Sequence, residues 1–466
     1  MTAYGRVDLV VRYRHTMSPS GWIERSHDGR QDIGRDDAAD VGGRPVSGQG
    51  VLARRLGTGD AVVIGVGSMI GAGVFAAFAP AAQAAGGGLL AGLALAAFVA
   101  YANATASAQL AAQYPTSGGT YVYGRERLGP WWGFLAGWGF VIGKTASCAA
   151  MALTFAAYAA PTGWERPVAV VAVIGLAAVN YRGVTRTARF TRIIVTVVLT
   201  ALSVVVLSSL VGGDPQWSQV TVWDEAEGSW YGVLQSAGLL FFAFAGYARI
   251  ATMGEEVRDP ARTIPRAILI ALGITVVVYA TIAVTLLAVL GADGTAATPT
   301  PLAAAVDAST WSWASPIVRI GGAAAALGAL LALIAGVGRT SLAMARQGDL
   351  PRWLAGVHPR HQVPHHAEIF LAGVVCVLVL TVDLRGVIGF SSFGVLLYYL
   401  VANMAALTQT PDRRRFPKAL QVPGAIGCVV LVVTLPISSV LAGLAVFAVG
   451  MGYRTWILRT TPRRST

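Results

Sequence analysis

A glycine-rich stretch inside an apolar segment has the most specific chemistry in this 466-residue chain. The chain is almost entirely apolar from Val62 to Ala85, and the middle of that segment, Gly65–Phe75, reads GVGSMIGAGVF. Each glycine weakens a helix by about 1 kcal/mol relative to alanine, and unpaired backbone groups in hydrocarbon are costly. A break in this helix therefore predicts a cavity in which freed backbone groups hold a solute.

The break is predicted at Ile70, Gly71, Ala72 and Gly73, where a second half-helix would begin. The free N–H groups of that half-helix and the positive end of its dipole would face an anionic group such as a carboxylate.

A second interrupted segment is Leu239–Glu256, which reads LLFFAFAGYARIATMGEE. It places Gly246 and Arg249 where a membrane helix should be most apolar. Carbonyl groups freed at 244–247 would accept hydrogen bonds from an ammonium group, so a zwitterion would satisfy both interrupted helices. Interrupted segments at matching positions indicate a transporter built from inverted repeats.

Two other interpretations of the first glycines remain. The spacing of Gly65, Gly67 and Gly71 superficially matches a dinucleotide fingerprint, but that motif needs a βαβ unit, which an apolar span does not provide. Close helix packing through Gly67 and Gly71, a small-xxx-small face, is the structural alternative.

Composition places the chain in a membrane. Hydrophobic residues make up 55% of it and charged residues 12%, with a mean hydropathy of +0.60, which is too little charge for a soluble protein of this size. About twelve segments are long enough to cross a bilayer. They are 61–83, 89–112, 131–158, 166–181, 190–212, 230–253, 266–290, 314–345, 366–382, 386–408, 421–438 and 440–457.

The net charge of +12 is a topology signal and does not indicate nucleic-acid binding. Basic residues lie in the loops after even-numbered spans, whereas the opposite loops are mainly acidic, with Arg166, Arg319 and Arg385 as exceptions. This positive-inside pattern predicts an inner (plasma) membrane protein with both termini in the cytoplasm. The basic loop residues are Arg125, Arg127, Arg182, Arg186, Arg189, Arg192, Arg258, Arg262, Arg266, Arg346, Arg352, Arg360, Arg413, Arg414, Arg415 and Lys418.

The domain organisation follows from the same pattern. Residues 1–58 are polar and lack an apolar period, which predicts a disordered cytoplasmic tail in which Met17 is an alternative start. The transporter domain covers 59–457, with repeats at about 60–212 and 230–409 and two extra helices at about 420–457, followed by a C-terminal tail at 458–466.

Aromatic and cysteine residues have structural interpretations. Tryptophan and tyrosine residues cluster where spans are expected to meet water, and some of them are interpreted as an aromatic belt that fixes the spans in depth. The aromatic residues concerned are Trp131, Trp132, Trp164, Trp223, Trp230, Trp311, Trp313, Tyr398 and Tyr399. Cys148, Cys376 and Cys428 lie inside apolar spans and are interpreted as small buried residues.

Several segments together resemble the amino acid–polyamine–organocation superfamily of permeases. In chain order they are Gly67–Phe75 (GSMIGAGVF), Tyr114–Tyr121 (YPTSGGTY), Phe241–Arg249 (FFAFAGYAR), Glu255–Pro265 (EEVRDPARTIP) and Ala343–Pro351 (AMARQGDLP). The resemblance covers about 60–457. It implies an all-α integral membrane protein with the LeuT-like five-plus-five inverted repeat, in which helices 1 and 6 are broken.

The resemblance also implies amino acids or amines as substrates. The substrate backbone would then lie at Ile70, Gly71, Ala72, Gly73, Phe241, Phe244, Ala245 and Gly246. Members for cationic amino acids tend to have an acidic residue near the position of Gly143, which favours a neutral amino acid here. Proton-coupled relatives often place a lysine in span 5, where this chain has only 196–200, TVVLT.

Lys144, in the centre of span 3, is a candidate coupling residue, because intramembrane charges are usually functional. Hydrogen bonding to carbonyls of a broken helix and direct substrate contact are the alternatives. Arg249 is a candidate for an inner gate with Glu255 or Glu256, or an arginine that reaches lipid headgroups. Thr340 and Ser341 could join a sodium site, although such hydroxyls more often bond to their own helix. The coupling alternatives are therefore a proton and a sodium ion.

Catalysis and cofactors are not expected. The chain has no GxxxxGK[ST] loop, no nucleophile–base set and no paired carboxylates at membrane depth. His358, His361, His365 and His366 do not match a metal-ligand spacing. The sequence therefore predicts a secondary transporter for an amino acid, with an amino acid/amine exchanger or a transport-inactive sensor of the same fold as alternatives.

Overall fold

The computed structural model describes residues 56–71, 73–116, 118–183, 188–221 and 229–460. Ala72 and the predicted tails, except for their innermost residues, lie outside this part of the chain. Within it the regular structure is helical, with no strand, and Leu56 and Val257 form an isolated parallel bridge.

The helices follow one another along the chain with short connections. They are α1 (Thr58–Ile70), α2 (Gly73–Ala76), α3 (Phe78–Ala85), α4 (Leu89–Gln113), α5 (Thr120–Leu128), α6 (Pro130–Ala159), α7 (Glu165–Tyr181), α8 (Ala188–Val211), α9 (Ser218–Thr221), α10 (Trp230–Phe244), α11 (Ala248–Ala251), α12 (Pro260–Ala296), α13 (Pro301–Asp307), α14 (Ser315–Arg346), α15 (His365–Thr381), α16 (Leu384–Leu407), α17 (Lys418–Thr434) and α18 (Ile437–Thr460). Short 3₁₀ turns occupy Gly86–Gly88, Ala245–Tyr247, Ser312–Ala314 and Arg352–Ala355.

Nine helical segments in the described residues are long and apolar enough to cross a membrane, and α15 and α17 are shorter apolar helices. Each of the predicted spans contains helix. The total of about twelve spans and the inverted repeat remain predictions.

Both predicted interruptions are present. The first span ends as α1 at Ile70 and resumes as α2 at Gly73, and Gly71 has φ −40° and ψ −81°. In the sixth span α10 ends at Phe244, a 3₁₀ turn follows over Ala245–Tyr247, and the short α11 follows. The glycine-rich sequence explains the first break, because glycine contributes least to a helix.

The scaffold around these breaks is centred on α6, which packs against α14 and α16. Glycines permit the close crossing of α6 and α16: a Cβ on Gly139 would lie 2.7 Å from the carbonyl oxygen of Gly394. Small residues at such crossings let helix backbones approach closely, which is how membrane helices gain packing energy.

Helix α5 was not predicted, because its amino acids YVYGRER read as a loop. It lies between α4 and α6 and carries Arg125 to a buried carboxylate, Asp349, in the connection after α14. Arg454, near the end of α18, pairs with the same carboxylate. We call the side of the bundle where α5, the α14–α15 connection and the end of α18 meet the Asp349 face.

Candidate functional site

The two interrupted helices touch each other at their breaks. A Cβ on Gly246 would lie 2.3 Å from the carbonyl oxygen of Ser68, and a Cβ on Gly73 would lie 2.6 Å from the Cα of Ala243. Both distances are far below an ordinary contact and involve backbone atoms. Only glycine therefore fits at these two positions while the helices keep this separation.

Hydroxyl groups from neighbouring helices satisfy the carbonyl groups at the breaks. The Tyr279 hydroxyl, from α12, donates to the carbonyl oxygen of Met69 at 2.6 Å and lies 3.2 Å from that of Ala243. The Tyr399 hydroxyl, from α16, donates to the carbonyl oxygen of Ala245 at 3.3 Å. Since a carbonyl oxygen has two lone pairs, each can still accept a second hydrogen bond.

Aromatic rings surround the same carbonyl groups. The ring of Phe241 lies 5.8 Å from that of Tyr399, with an edge-on orientation, and the ring of Phe244 lies 5.0 Å from that of Tyr279. These four rings are fully buried, and so is Ile70 at the end of α1. The site thus combines backbone polar groups with an apolar, aromatic wall.

Tyr398 and Tyr399 were expected where a span meets water, and this expectation is wrong. Tyr399 is 0% exposed and Tyr398 is 3% exposed. The Tyr398 hydroxyl accepts a hydrogen bond from the backbone N–H of Thr120 at 3.1 Å. Their position inside a predicted span, away from its ends, was the signal that separates them from Trp164 and Trp313, which are exposed.

Two buried amide side chains, those of Asn403 and Asn103, form a hydrogen-bonded chain that contacts the backbone of Tyr399. Asn403 donates to the backbone carbonyl of Tyr399 at 3.0 Å and to the Oδ1 atom of Asn103, in α4, at 2.5 Å. The Cys428 thiol, in α17, donates to the same Oδ1 atom at 3.4 Å. Asn103, Asn403 and Cys428 are all 0% exposed. Hydrogen bonds therefore connect α17 to the broken sixth span.

Lys144 is buried in α6, with 8% exposure. Within the described residues no hydrogen bond or ion pair of its ammonium group is found, whereas the hydroxyls of Thr145 and Ser147, which follow it in α6, donate to the carbonyls of Val141 and Gly143. The predicted bond from Lys144 to carbonyls of a broken helix is therefore not found in this part of the chain.

Arg249 is in α11, directly after the second break. Glu256 and Arg339 both lie within electrostatic range of its guanidinium group. Glu368, which the sequence analysis missed, lies near Arg339. It is 3% exposed, and its Oε2 atom has no hydrogen-bond partner among the described residues. Glu368 was not predicted as a functional residue because it lies in the first turn of an apolar helix, next to a histidine-rich loop, where an acidic residue is expected to be solvated.

Thr340 and Ser341 of α14, the candidate sodium ligands, differ from each other in their surroundings. The Thr340 hydroxyl donates to the carbonyl oxygen of Gly336 in its own helix at 3.1 Å, which agrees with the structural alternative left open for it. Ser341 lines an apolar groove between α6, α14, α15, α16 and α18.

The carboxylate of Asp349 is the centre of a buried ionic cluster that the sequence analysis also missed. Tyr121 donates to it at 2.7 Å and Arg125 at 3.0 Å, while Arg454 donates to its other oxygen. Burial, and then the hydrogen bond to Asp349, raise the pKa of Tyr121 well above its usual range. Tyr121 therefore stays protonated and remains a donor.

The histidine-rich loop has a structural explanation. The Nδ1 atom of His358 accepts hydrogen bonds from the backbone N–H groups of Arg360 and His361, each at 3.2 Å. No group of three or more histidine, cysteine, aspartate or glutamate residues in the described ranges is placed to hold a metal ion.

A small cavity lies beside the first break. It has a volume of about 10 Å³ and is bounded by Gly67, Ile70, Gly71 and three residues of α8, Ile194, Val195 and Val198. This space is about that of a single water molecule. In this conformation the breaks are packed together.

An array of apolar helices with two helices broken and apposed defines a multi-pass membrane protein of the transporter class. The chain belongs to the amino acid permease family, whose model matches residues 56–458. It is a transporter of that family and not an enzyme.

Similar proteins are found in bacteria and plants. An uncharacterized transporter of Mycobacterium tuberculosis is 60% identical over 400 residues, which cover 86% of this chain and 90% of the relative. The branched-chain amino acid permease BcaP of Bacillus subtilis is 24% identical over 81% of this chain and 85% of its own length. Cationic amino acid transporter 7, chloroplastic, of Arabidopsis thaliana is 28% identical over 77% of this chain and 66% of its own length.

Proposed function

We propose that this protein moves a neutral amino acid across the membrane and binds it where the two broken helices meet. The α-carboxylate would bind the N–H groups that begin the second half of span 1, and the α-ammonium would bind carbonyls of span 6. The residues of this proposed site are Ile70, Gly71, Ala72, Gly73, Phe241, Phe244, Ala245 and Gly246.

The observation that carries the proposal is the contact of the two breaks at Gly246 and Gly73. Opposed half-helix ends offer donors on one side and acceptors on the other, which is the pattern that a zwitterion requires. The packing is close, so the breaks must separate for a solute to enter. Alternating access would supply that separation if spans 1, 2, 6 and 7 rock against spans 3, 4, 8 and 9.

The lining favours a neutral side chain. Phe241 and Phe244 present apolar rings at the break, and Gly143 stands where relatives for cationic substrates tend to have an acidic residue. The branched-chain permease among the relatives agrees with this choice. The cationic transporter of Arabidopsis thaliana favours the second candidate, a basic amino acid.

The proposed orientation has both termini in the cytoplasm, because the basic loops follow even-numbered spans. This places the Asp349 face on the cytoplasmic side. Lys144 is the proposed proton-coupling group, since it is a basic residue buried within a helix that can cross the membrane.

Uptake by purified protein in liposomes tests the proposal. We expect labelled leucine to accumulate and excess alanine or serine to compete, whereas excess arginine should not. Strong competition by arginine alone would favour the second candidate. Uptake only into vesicles preloaded with an amino acid or amine would indicate an exchanger. Leucine binding without movement would indicate a sensor, and neither binding nor uptake of any amino acid would refute the proposal.

A further inference from the structure

An apolar groove lies apart from the two breaks. It has a volume of about 740 Å³ and lies between α6, α14, α15, α16 and α18. Along α18 it extends from Ser438 to Tyr453, which is about 22 Å at 1.5 Å per residue. A space of this length is a slot along the bundle and not a compact pocket for an amino acid.

Three of the polar groups that line the groove have partners within the protein. The Thr145 hydroxyl donates to the carbonyl of Val141 at 2.7 Å, and the Ser439 hydroxyl donates to that of Gly386 at 3.2 Å. The indole N–H of Trp138 donates to the carbonyl of Val446 at 3.1 Å. The remaining lining is almost wholly apolar, for example Phe370 and Val374. Water would find few partners there, so the groove suits a hydrocarbon chain.

The groove faces the bilayer. On α18 the lining residue Val449 is 69% exposed. On α15 Val377 and Leu380, which flank the lining residue Leu378, are 59% and 50% exposed. In a multi-pass membrane protein such faces contact lipid. An acyl chain can therefore enter sideways from the hydrocarbon core.

The end of the groove at the Asp349 face is electropositive. Leu350, Pro351, Trp353 and Leu354 form this end, and the exposed Arg352 stands among them. Asp349 precedes Leu350 in the chain, and two arginines, Arg125 and Arg454, pair with its single carboxylate. Trp353 and Tyr453 at the same end are residues that favour the headgroup region of a membrane.

We propose that this groove binds one anionic glycerophospholipid, with an acyl chain along α18 and its phosphate at Arg352. The groove also reaches Thr145, next to Lys144, and Ser341 in α14. A bound lipid would therefore contact α6 and α14 on one side of the place where these two helices pack together. The proposal does not depend on which solute is transported.

Native mass spectrometry of the full chain, released from nanodiscs of phosphatidylcholine with a minority of phosphatidylglycerol, tests the lipid site. We expect one phosphatidylglycerol molecule to remain on the wild type after most other lipid is lost. Val374→Trp and, independently, Ala442→Trp place a large ring in the groove. Each substitution should abolish the retention of phosphatidylglycerol. Val377→Trp, on the exposed face of α15, should still retain phosphatidylglycerol.

The headgroup is tested by Arg352→Gln with Arg360→Gln as the control, since both side chains are exposed in the same connection. We expect Arg352→Gln to weaken retention of phosphatidylglycerol roughly fivefold, the factor that one basic residue contributes near an anionic lipid surface. Arg360→Gln should leave it unchanged. Equal retention by the wild type and both groove-filling variants would mean annular lipid only. Dimers cross-linked through this face and free of lipid would assign the groove to a second copy of the chain. Either result would overturn the proposal.

Discussion

The hydroxyl of Tyr279 donates a hydrogen bond of 2.6 Å to the carbonyl oxygen of Met69. The hydroxyl oxygen of Tyr279 also lies 3.2 Å from the carbonyl oxygen of Ala243, in the other broken helix. One side chain of α12 thus holds the last turn of α1 close to the end of α10. In hydrocarbon a freed carbonyl must find a donor within the protein, and the single O–H of this tyrosine is shared between a short bond to Met69 and a longer approach to Ala243.

Replacement of this hydroxyl is the first test. We expect Tyr279→Phe to lower the free energy of unfolding by about 1–3 kcal/mol, the cost of leaving a buried carbonyl without its partner. Leucine uptake should fall as well, because the ends of the two helices lose their common contact. Thermal denaturation in detergent and uptake into liposomes measure the two effects.

Thr275→Val is the matched control on the same helix. The Thr275 hydroxyl is buried and donates to the carbonyl of Ala271 within α12. Its loss should affect stability only slightly and should leave the Michaelis constant unchanged. Equal uptake by the Tyr279→Phe and Thr275→Val proteins would show that the tyrosine does not position the breaks.

A methyl group at Gly246 tests the apposition of the breaks. In Gly246→Ala the new Cβ would lie 2.3 Å from the carbonyl oxygen of Ser68, so the backbone of α1 or of the 3₁₀ turn must move. We expect the folded protein to lose most of its uptake. In Gly273→Ala the new Cβ meets no atom within 4 Å, and this variant should keep its activity and gain up to about 1 kcal/mol of stability. Normal uptake by Gly246→Ala would place the solute elsewhere.

The ionic cluster at Asp349 makes a stability prediction. The side chains of Asp349 and Arg454 are each 6% exposed, so Asp349→Asn leaves a buried guanidinium group without its counter-charge. Breaking a buried pair in this way costs about 3–5 kcal/mol, and the melting temperature should fall accordingly. Asp412→Asn removes an exposed carboxylate that is paired with Arg413 and should have little effect. Similar melting temperatures for the two variants would contradict a structural role for the cluster.

The amide chain behind Tyr399 predicts a local effect at the second break. Asn403→Leu removes the bonds to Asn103 and to the Tyr399 carbonyl, and we expect faster hydrogen exchange in peptides that cover 244–252. The control, Asn180→Leu, removes a bond of 3.1 Å from another buried amide to the carbonyl of Leu331. It should destabilise the protein without changing exchange at 244–252. Uniformly faster exchange in both variants would show that Asn403 stabilises the bundle only in general.

The proposed coupling role of Lys144 predicts a change in the response to pH. In Lys144→Met the buried group that can exchange a proton is lost, so leucine uptake should no longer increase when a proton gradient is imposed. Lys418→Met, which changes an exposed lysine at the start of α17, should respond as the wild type does. An undiminished response in the Lys144→Met protein would exclude this residue as the coupling group.

The sequence by itself determined the helical membrane class, the ranges of the apolar helices and the two interruptions. These features depend on local composition: apolar length decides what can cross a bilayer, and glycines at Gly71 and Gly73 weaken the helix where they stand. The resemblance of the motifs to permeases also agrees with the family to which the chain belongs.

Only the tertiary structure decided which side chains support the breaks. Tyr279 and Met69 are 210 positions apart, and Tyr399 and Ala245 are 154 apart, so no local pattern connects them. The sequence could not distinguish the two environments of Tyr398 and Tyr399. A tyrosine side chain is favoured at a membrane surface, and it is also favoured in a buried position where its hydroxyl has a hydrogen-bond partner. The sequence did not reveal the Asp349 cluster, because Arg125, Asp349 and Arg454 come from three distant segments and meet only after folding.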